Sequence, residues 1–256
     1  MKTALINDST IDFDAGKHCY VWREKGLPVP GVTSILALLN KPALIQWAAN
    51  MAVEHITNGY VKRLEAGEMP ETSSFLALCQ EAKTAHRRVS KEAADVGTLA
   101  HKFCEQVMGT GRGTMPTDEK AQASCNAFLS WYRANKITTE STERIVFSKR
   151  WYYAGQVDWT GSINDVPGIL DFKTSTNLYL EAILQLGGYS VAIEEQEGRT
   201  INDGWVVRLD KKTGKPTVYH INLTNQIKDA FLRVREAHKL VGEIEEALDG
   251  IRQQAA

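Results

Sequence analysis

The sequence predicts an α/β protein, a mixed central sheet flanked by helices and preceded by an N-terminal helical lobe. Three observations carry that expectation. Residues 152–163 and 166–174 are rich in β-branched and aromatic side chains, and the Gly161–Gly168 stretch between them, with Asn164, Asp165 and Pro167, is a strong turn signal. Apolar residues recur at helical spacing over 96–107, 179–197 and 224–248. Strand-like segments at 143–149, 204–210 and 216–222 supply the rest of the sheet.

The hairpin of 152–163 with 166–174 is the centre of the reading. If Asn164-Asp165 form a two-residue turn, Ile163 pairs with Val166, and the same register places Asp158 opposite Asp171. Facing carboxylates about 5 Å apart at Cβ repel unless a cation lies between them. A divalent metal is the obvious candidate. Asp171 and Lys173 share one face of the second arm, while Leu170 and Phe172 take the other and go to the core. A bulge at Pro167-Gly168 would slip this register by one.

Composition sets outer bounds. With 43% hydrophobic and 24% charged residues in 256, the chain can bury a sizeable core and is not disordered. A formal net charge of −1 gives no global basic field, so a nucleic-acid partner must be met by a local patch or through metal. The residues from Met1 to Asp8 lack the apolar core of a signal peptide, and no run approaches a membrane span; a cytoplasmic protein is expected. Cys19, Cys79, Cys104 and Cys125 are widely separated and read as buried thiols, not as a zinc knuckle or a disulfide framework.

In chain order, residues 17–22 alternate as a small β-element, and Glu24 to Pro30 reads as a turn and an exit. From Val32 the pattern is helical, through Pro42 at a helix start and, with breaks, to about residue 109. Lys83, Arg87 and Lys91 recur every four residues, a stripe that suits either phosphates or solvent. Gly97 and His101 share a helical face. Gly109–Gly113 is a linker, and 118–136 is a helix whose apolar side is Phe128, Leu129, Trp131 and Tyr132. Trp151, Tyr152 and Tyr153 suit sheet packing better than base stacking. Gln185 and Tyr189 share a face of the 179–197 helix. The last helix, capped near Thr224, carries a stripe from Ile227 to Ile251 that fits packing on the sheet better than a dimer seam. The division expected is 1–95, a β-element with a helical lobe, and 96–256, a core with a C-terminal helix.

Taken together, Gly97-Thr98-x-x-His101, Gly155-x-x-Asp158, Asp171-x-Lys173 and Gln185-x-x-x-Tyr189 resemble, in order and spacing, the PD-(D/E)XK nuclease superfamily. The likeness is to the exonuclease branch with the RecB nuclease domain, the CRISPR-adaptation nucleases and the mitochondrial genome maintenance exonuclease. Residues 30–36 and the helices after them look like phage-encoded members. Val157 stands where the family name has proline, and the second acid is Asp171 where others carry Glu. The resemblance implies a restriction-endonuclease-like fold and a metal-dependent DNA exonuclease leaving 5′-phosphate products, in phage or bacterial recombination, repair or replication. A flap or other endonuclease on the same site, and a non-catalytic DNA-binding module, are the alternatives.

Carried over by residue, the resemblance makes Asp158, Asp171, His101 and the Phe172 carbonyl metal ligands, Lys173 the catalytic lysine, and Gln185 and Tyr189 the pair that orients the site. Lys83, Arg87, Lys91, Thr98 and Glu143 are weaker candidates for contact with nucleic acid. Such oxygen donors suit Mg²⁺ or Mn²⁺ over zinc, and the histidine tips the balance toward Mn²⁺. No cysteine follows Cys125, so no iron–sulfur cluster is expected. DNA is the expected partner, together with a single-strand annealing or other recombination protein; oligomeric state is open.

Overall fold

The computed structural model describes residues 1–14, 16–17, 19–39, 41–69 and 71–254. His18, inside the β-segment expected at 17–22, lies outside the described residues. The chain forms two compact units, one of residues 1–38 with 100–256 and one of residues 39–99. Residues 1–38 thus fall with the C-terminal unit, whereas the sequence-based division grouped them with the helical segment.

The first unit opens with a four-stranded antiparallel sheet, β1 (Lys2–Ile6), β2 (Ser9–Asp14), β3 (Cys19–Trp22) and β4 (Leu27–Val29). Asn7 and Asp8, both at positive φ, close the β1–β2 hairpin. This is the same Asn-Asp dipeptide, in the same left-handed pair, that turns the central hairpin. After the short α1 (Val32–Leu36), the 39–99 unit contains α2 (Pro42–Glu65), α3 (Thr72–Ala82) and the first part of α4 (Ala85–Thr110).

The remainder is α5 (Glu119–Arg133), β5 (Ile137–Ser148), β6 (Tyr153–Ile163), β7 (Val166–Lys173), α6 (Leu180–Glu197), β8 (Asp203–Leu209), β9 (Pro216–Asn222) and α7 (Asn225–Gln254). β5 to β9 make a mixed five-stranded sheet in sequence order, antiparallel except for β7 with β8. A parallel pair needs a crossover, and α6 provides it. The expected mixed sheet flanked by helices is therefore present.

α5 starts where Asp118 caps it, the carboxylate accepting from the Ala121 N–H at 2.8 Å. It ends at Arg133, before the 136 expected, and the chain enters β5 six residues earlier than the 143–149 segment indicated. One face of the sheet buries Trp159, Leu170, Phe172 and Val207 against Phe103 and Val107 of α4 and Phe128 and Trp131 of α5. The small sheet packs Ile11, Phe13, Tyr20 and Trp22 on Ile145, Phe147 and Ala154.

Three expectations are corrected. Cys19 is exposed and Cys79 half-buried; only Cys104 and Cys125 are buried. The α7 stripe packs through Phe231, but Val241, Ile244, Leu248 and Ile251 are exposed, so the end of the helix does not lie on the sheet. Lys83 caps the C-terminus of α3, so the basic stripe spans a helix junction. No helix among the described residues is long and apolar enough to cross a membrane.

Candidate active site

The hairpin has the register read from sequence: Ile163 pairs with Val166 and, without a bulge, the ladder runs to Trp159 with Leu170. Asn164 and Asp165 both sit at positive φ, as a two-residue hairpin turn requires. The ladder between β6 and β7 ends there. β6 goes on pairing with β5 as far as Tyr153, while β7 goes on pairing with β8 as far as Lys173, so the strands part at Asp158 and Asp171. In the fork the Asp158 carboxylate replaces the missing ladder bond, accepting from the Phe172 N–H at 2.8 Å.

Asp171 is 1% exposed. Its Oδ2 lies 2.6 Å from Lys173 Nζ in a buried ion pair and accepts no other hydrogen bond. Lys173 Nζ also donates to Gln185 Oε1 at 3.1 Å, and Gln185 Nε2 donates to the Tyr189 hydroxyl at 2.7 Å. The four-residue spacing of Gln185 and Tyr189 on α6 thus becomes one chain of contacts ending on Asp171. Gly155 permits it: a Cβ there would stand 2.5 Å from the Tyr189 ring.

His101, on the part of α4 in this unit, places Nδ1 3.4 Å from Asp158 Oδ2 and packs its ring edge-on to Phe172. Burial, then the Asp158 charge, raises the pKa of Glu143, which lies on β5 between residues paired with Trp159 and Val157. Glu143 has positive φ and pairs with Lys2 at 3.3 Å.

Burial, and then the Asp171 charge, pushes Asp158 up to about 7. Burial also holds the His101 imidazole below its usual range, with Lys173 adding to the effect. Burial opposes the Lys173 ammonium, yet Asp171 and Asp158 outweigh it and keep lysine charged beyond its ordinary range. Tyr189 is kept neutral by burial and by Asp171.

Glu105 and Tyr20 were not singled out from sequence. The Glu105 charge acts on both Asp158 and Glu143, and its position four residues after His101 was a usable signal. Tyr20 is buried on β3 and senses Glu143, a proximity that only the packing of the small sheet creates. In the 39–99 unit Lys83, Arg87 and Lys91 are exposed, and the Thr98 hydroxyl donates to the Ala94 carbonyl at 3.0 Å.

The donors fit a hard divalent ion in kind: two carboxylates at the fork, the Phe172 carbonyl and an imidazole kept neutral by burial. The buried Asp171 Oδ2, held by the Lys173 ammonium, is an oxygen already placed to meet positive charge. Among the described residues, however, no three His, Cys, Asp or Glu side chains are placed to hold an ion as they stand. Lys173 sits on Asp171 and His101 on Asp158, so an ion would take over the attraction that these groups now supply.

No family model and no curated protein sequence matches the chain. Among solved structures, it is similar to a protein from Eubacterium rectale described as a "putative exonuclease", at 12% identity over 57% of this chain and 68% of that one, with a TM-score of 0.35. It is also similar to the alkaline exonuclease LHK-Exo from Laribacter hongkongensis, at 13% identity over 62% of this chain and 84% of that one, with a TM-score of 0.34. Likeness at this level carries no weight for function, which rests on the site itself.

Proposed function

We propose that the chain is a metal-dependent DNA exonuclease that hydrolyses phosphodiester bonds to leave 5′-phosphate ends, in phage or bacterial recombination, repair or replication. The observation that supports this is the parting of β6 and β7 at Asp158. It gathers the half-buried Asp158 and Lys173 around the buried Asp171 in one fork, with Gln185 and Tyr189 behind the lysine.

Asp158, Asp171, the Phe172 carbonyl and His101 would hold Mg²⁺ or Mn²⁺. When bound, the ion supplies Lewis-acid polarisation of the phosphate and an acidified water. Lys173, fixed by Asp171 and Gln185, offsets negative charge that grows on the phosphate and orients the attacking water. Tyr189 stays protonated and donates no charge of its own; through Gln185 it sets where the ammonium points. Neutral His101 keeps a nitrogen lone pair for the ion.

The test is digestion of linear and covalently closed circular DNA, single- and double-stranded, with Mg²⁺, Mn²⁺ or EDTA, beside Asp171→Ala and Lys173→Ala. Linear DNA is expected to be degraded while circles survive. Chelator and Asp171→Ala should abolish activity, and Lys173→Ala should lower it about a hundred- to a thousandfold. Cut circles would replace the exonuclease by an endonuclease, and retention of DNA without cleavage under any metal would leave a binding module.

A further inference from the structure

We propose that Lys25, Lys149 and Arg150, gathered where the β3–β4 turn meets the β5–β6 turn, hold the phosphate backbone of the DNA that enters the carboxylate fork. The proposal rests on the nuclease reading above and names where its substrate is held away from the site.

The two turns are locked together. Trp22, at the end of β3, is buried and packs on Phe147 at 5.2 Å and Tyr152 at 6.2 Å between ring centres, and the Tyr152 hydroxyl donates to the Pro28 carbonyl at 3.1 Å. Two ammonium groups from different turns converge on this one indole, Lys25 Nζ 4.1 Å and Lys149 Nζ 5.6 Å from the ring centre. Each exposed cation–π contact returns only about 0.5–1 kcal/mol, which leaves both ammonium groups available to an anion. A nucleic-acid backbone, with charges repeated along its length, can engage both lysines. Beside them the Arg150 guanidinium lies 5.2 Å over the half-buried Trp151 ring.

Nearby carboxylates are held by hydrogen bonds or an ion pair of their own. Glu24 accepts from the Thr10 N–H through both oxygens, at 2.8 and 3.0 Å, and lies beside the Trp22 indole. Glu195 bonds the Ser148 hydroxyl and the Arg150 N–H. Asp12 is tied to Arg23 at 2.6 Å. Lys25, Lys149 and Arg150 are exposed, and among the described residues no carboxylate forms an ion pair with them.

The patch also lies at a useful distance. β6 runs directly from this turn to the fork, and the five steps from Tyr153 to Asp158 span roughly 17 Å at about 3.3 Å each. That is about five base pairs of duplex at ~3.4 Å per pair. Tyr153 and Tyr152 are taken up by packing, the Tyr153 hydroxyl donating to the Gly188 carbonyl at 2.7 Å. Trp151 and Tyr152 are both half-buried.

The experiment compares the wild type with K25Q/K149Q/R150Q. Binding of a labelled 30-nucleotide strand and 30-base-pair duplex is measured in EDTA across salt concentrations, and hydrolysis of bis(p-nitrophenyl) phosphate, too small to reach the patch, is measured with Mn²⁺. The triple variant should bind DNA at least tenfold more weakly, with a log–log salt slope shallower by about two to three. Hydrolysis of the small ester should stay within twofold of wild type, and K25R/K149R should bind as wild type does. Wild-type affinity and slope in a triple variant with an unchanged melting temperature would overturn the proposal, as would a parallel loss on the small ester. If the triple variant does not fold, K25Q and K149Q are each expected to lower the slope by about one, and failure of both to do so overturns it. If the wild type cleaves neither DNA nor ester while the variant still loses DNA affinity, the nuclease reading falls and the patch stands.

Discussion

Asp158 sits in an environment hostile to its charged form. In the folded protein it releases its proton near 7, against 3.8 for an unhindered aspartate, because it is buried beside Asp171. The folded state therefore keeps a proton that the unfolded chain gives up. With this sign the group costs nothing below about pH 4, the cost grows as pH rises, and it is complete above about pH 7. Three pKa units bound it at ~4 kcal/mol, an order-of-magnitude ceiling. In chelator, the wild-type melting temperature should fall between pH 4.5 and 7.5 relative to Asp158→Asn. Parallel curves for the two proteins would mean that Asp158 is not perturbed.

At the scale of elements, the site depends on α6 lying close enough to β6 for Tyr189 to reach back through Gln185 to Lys173. Gly155 is the condition for that approach, since a Cβ would meet the Tyr189 ring at 2.5 Å and Val32 at 3.1 Å. Gly155→Ala should cost about 1–3 kcal/mol by overpacking, or a melting temperature lower by 2–4 °C per kcal/mol for a domain of this size. Activity should fall further than stability accounts for, because moving Tyr189 releases Lys173. A Gly155→Ala protein with wild-type melting and turnover would show that the ring yields freely. The hairpin was legible because its cues are local: two-residue alternation and an Asn-Asp turn. The same dipeptide at residues 7–8 turns β1 into β2, yet that pair of strands was not anticipated, since Lys2–Ile6 is mostly exposed and shows little alternation to the eye.

For the whole molecule, the consequence of the fork is that a divalent ion should bind the folded chain and not the unfolded one. At pH 7.5, Mg²⁺ or Mn²⁺ at a hundred times its dissociation constant should add about 2.7 kcal/mol of stability to the wild type. Asp171→Ala should gain nothing, because the carboxylate that the ion would meet is gone. Equal stabilisation of both proteins would place the ion elsewhere.

The family resemblance implied that Asp158, Asp171, Lys173, Gln185 and Tyr189 belong together; the residue types and their spacing along the chain determined by themselves that this is an α/β protein with a central hairpin turned at Asn164-Asp165. Those are properties of local periodicity, turn chemistry and fixed spacing, which act within a few residues. Only the tertiary structure decided that the ladder stops at Trp159 and Leu170, because β7 leaves β6 to pair with β8, a strand some thirty residues later in the chain. The packing of α4, α6 and β3 likewise decided that His101, Tyr189 and Tyr20 converge on that opening. A carboxylate takes the place of a ladder bond at Asp158 because the partner strand is drawn away by a distant one, and no pattern within the hairpin encodes that competition.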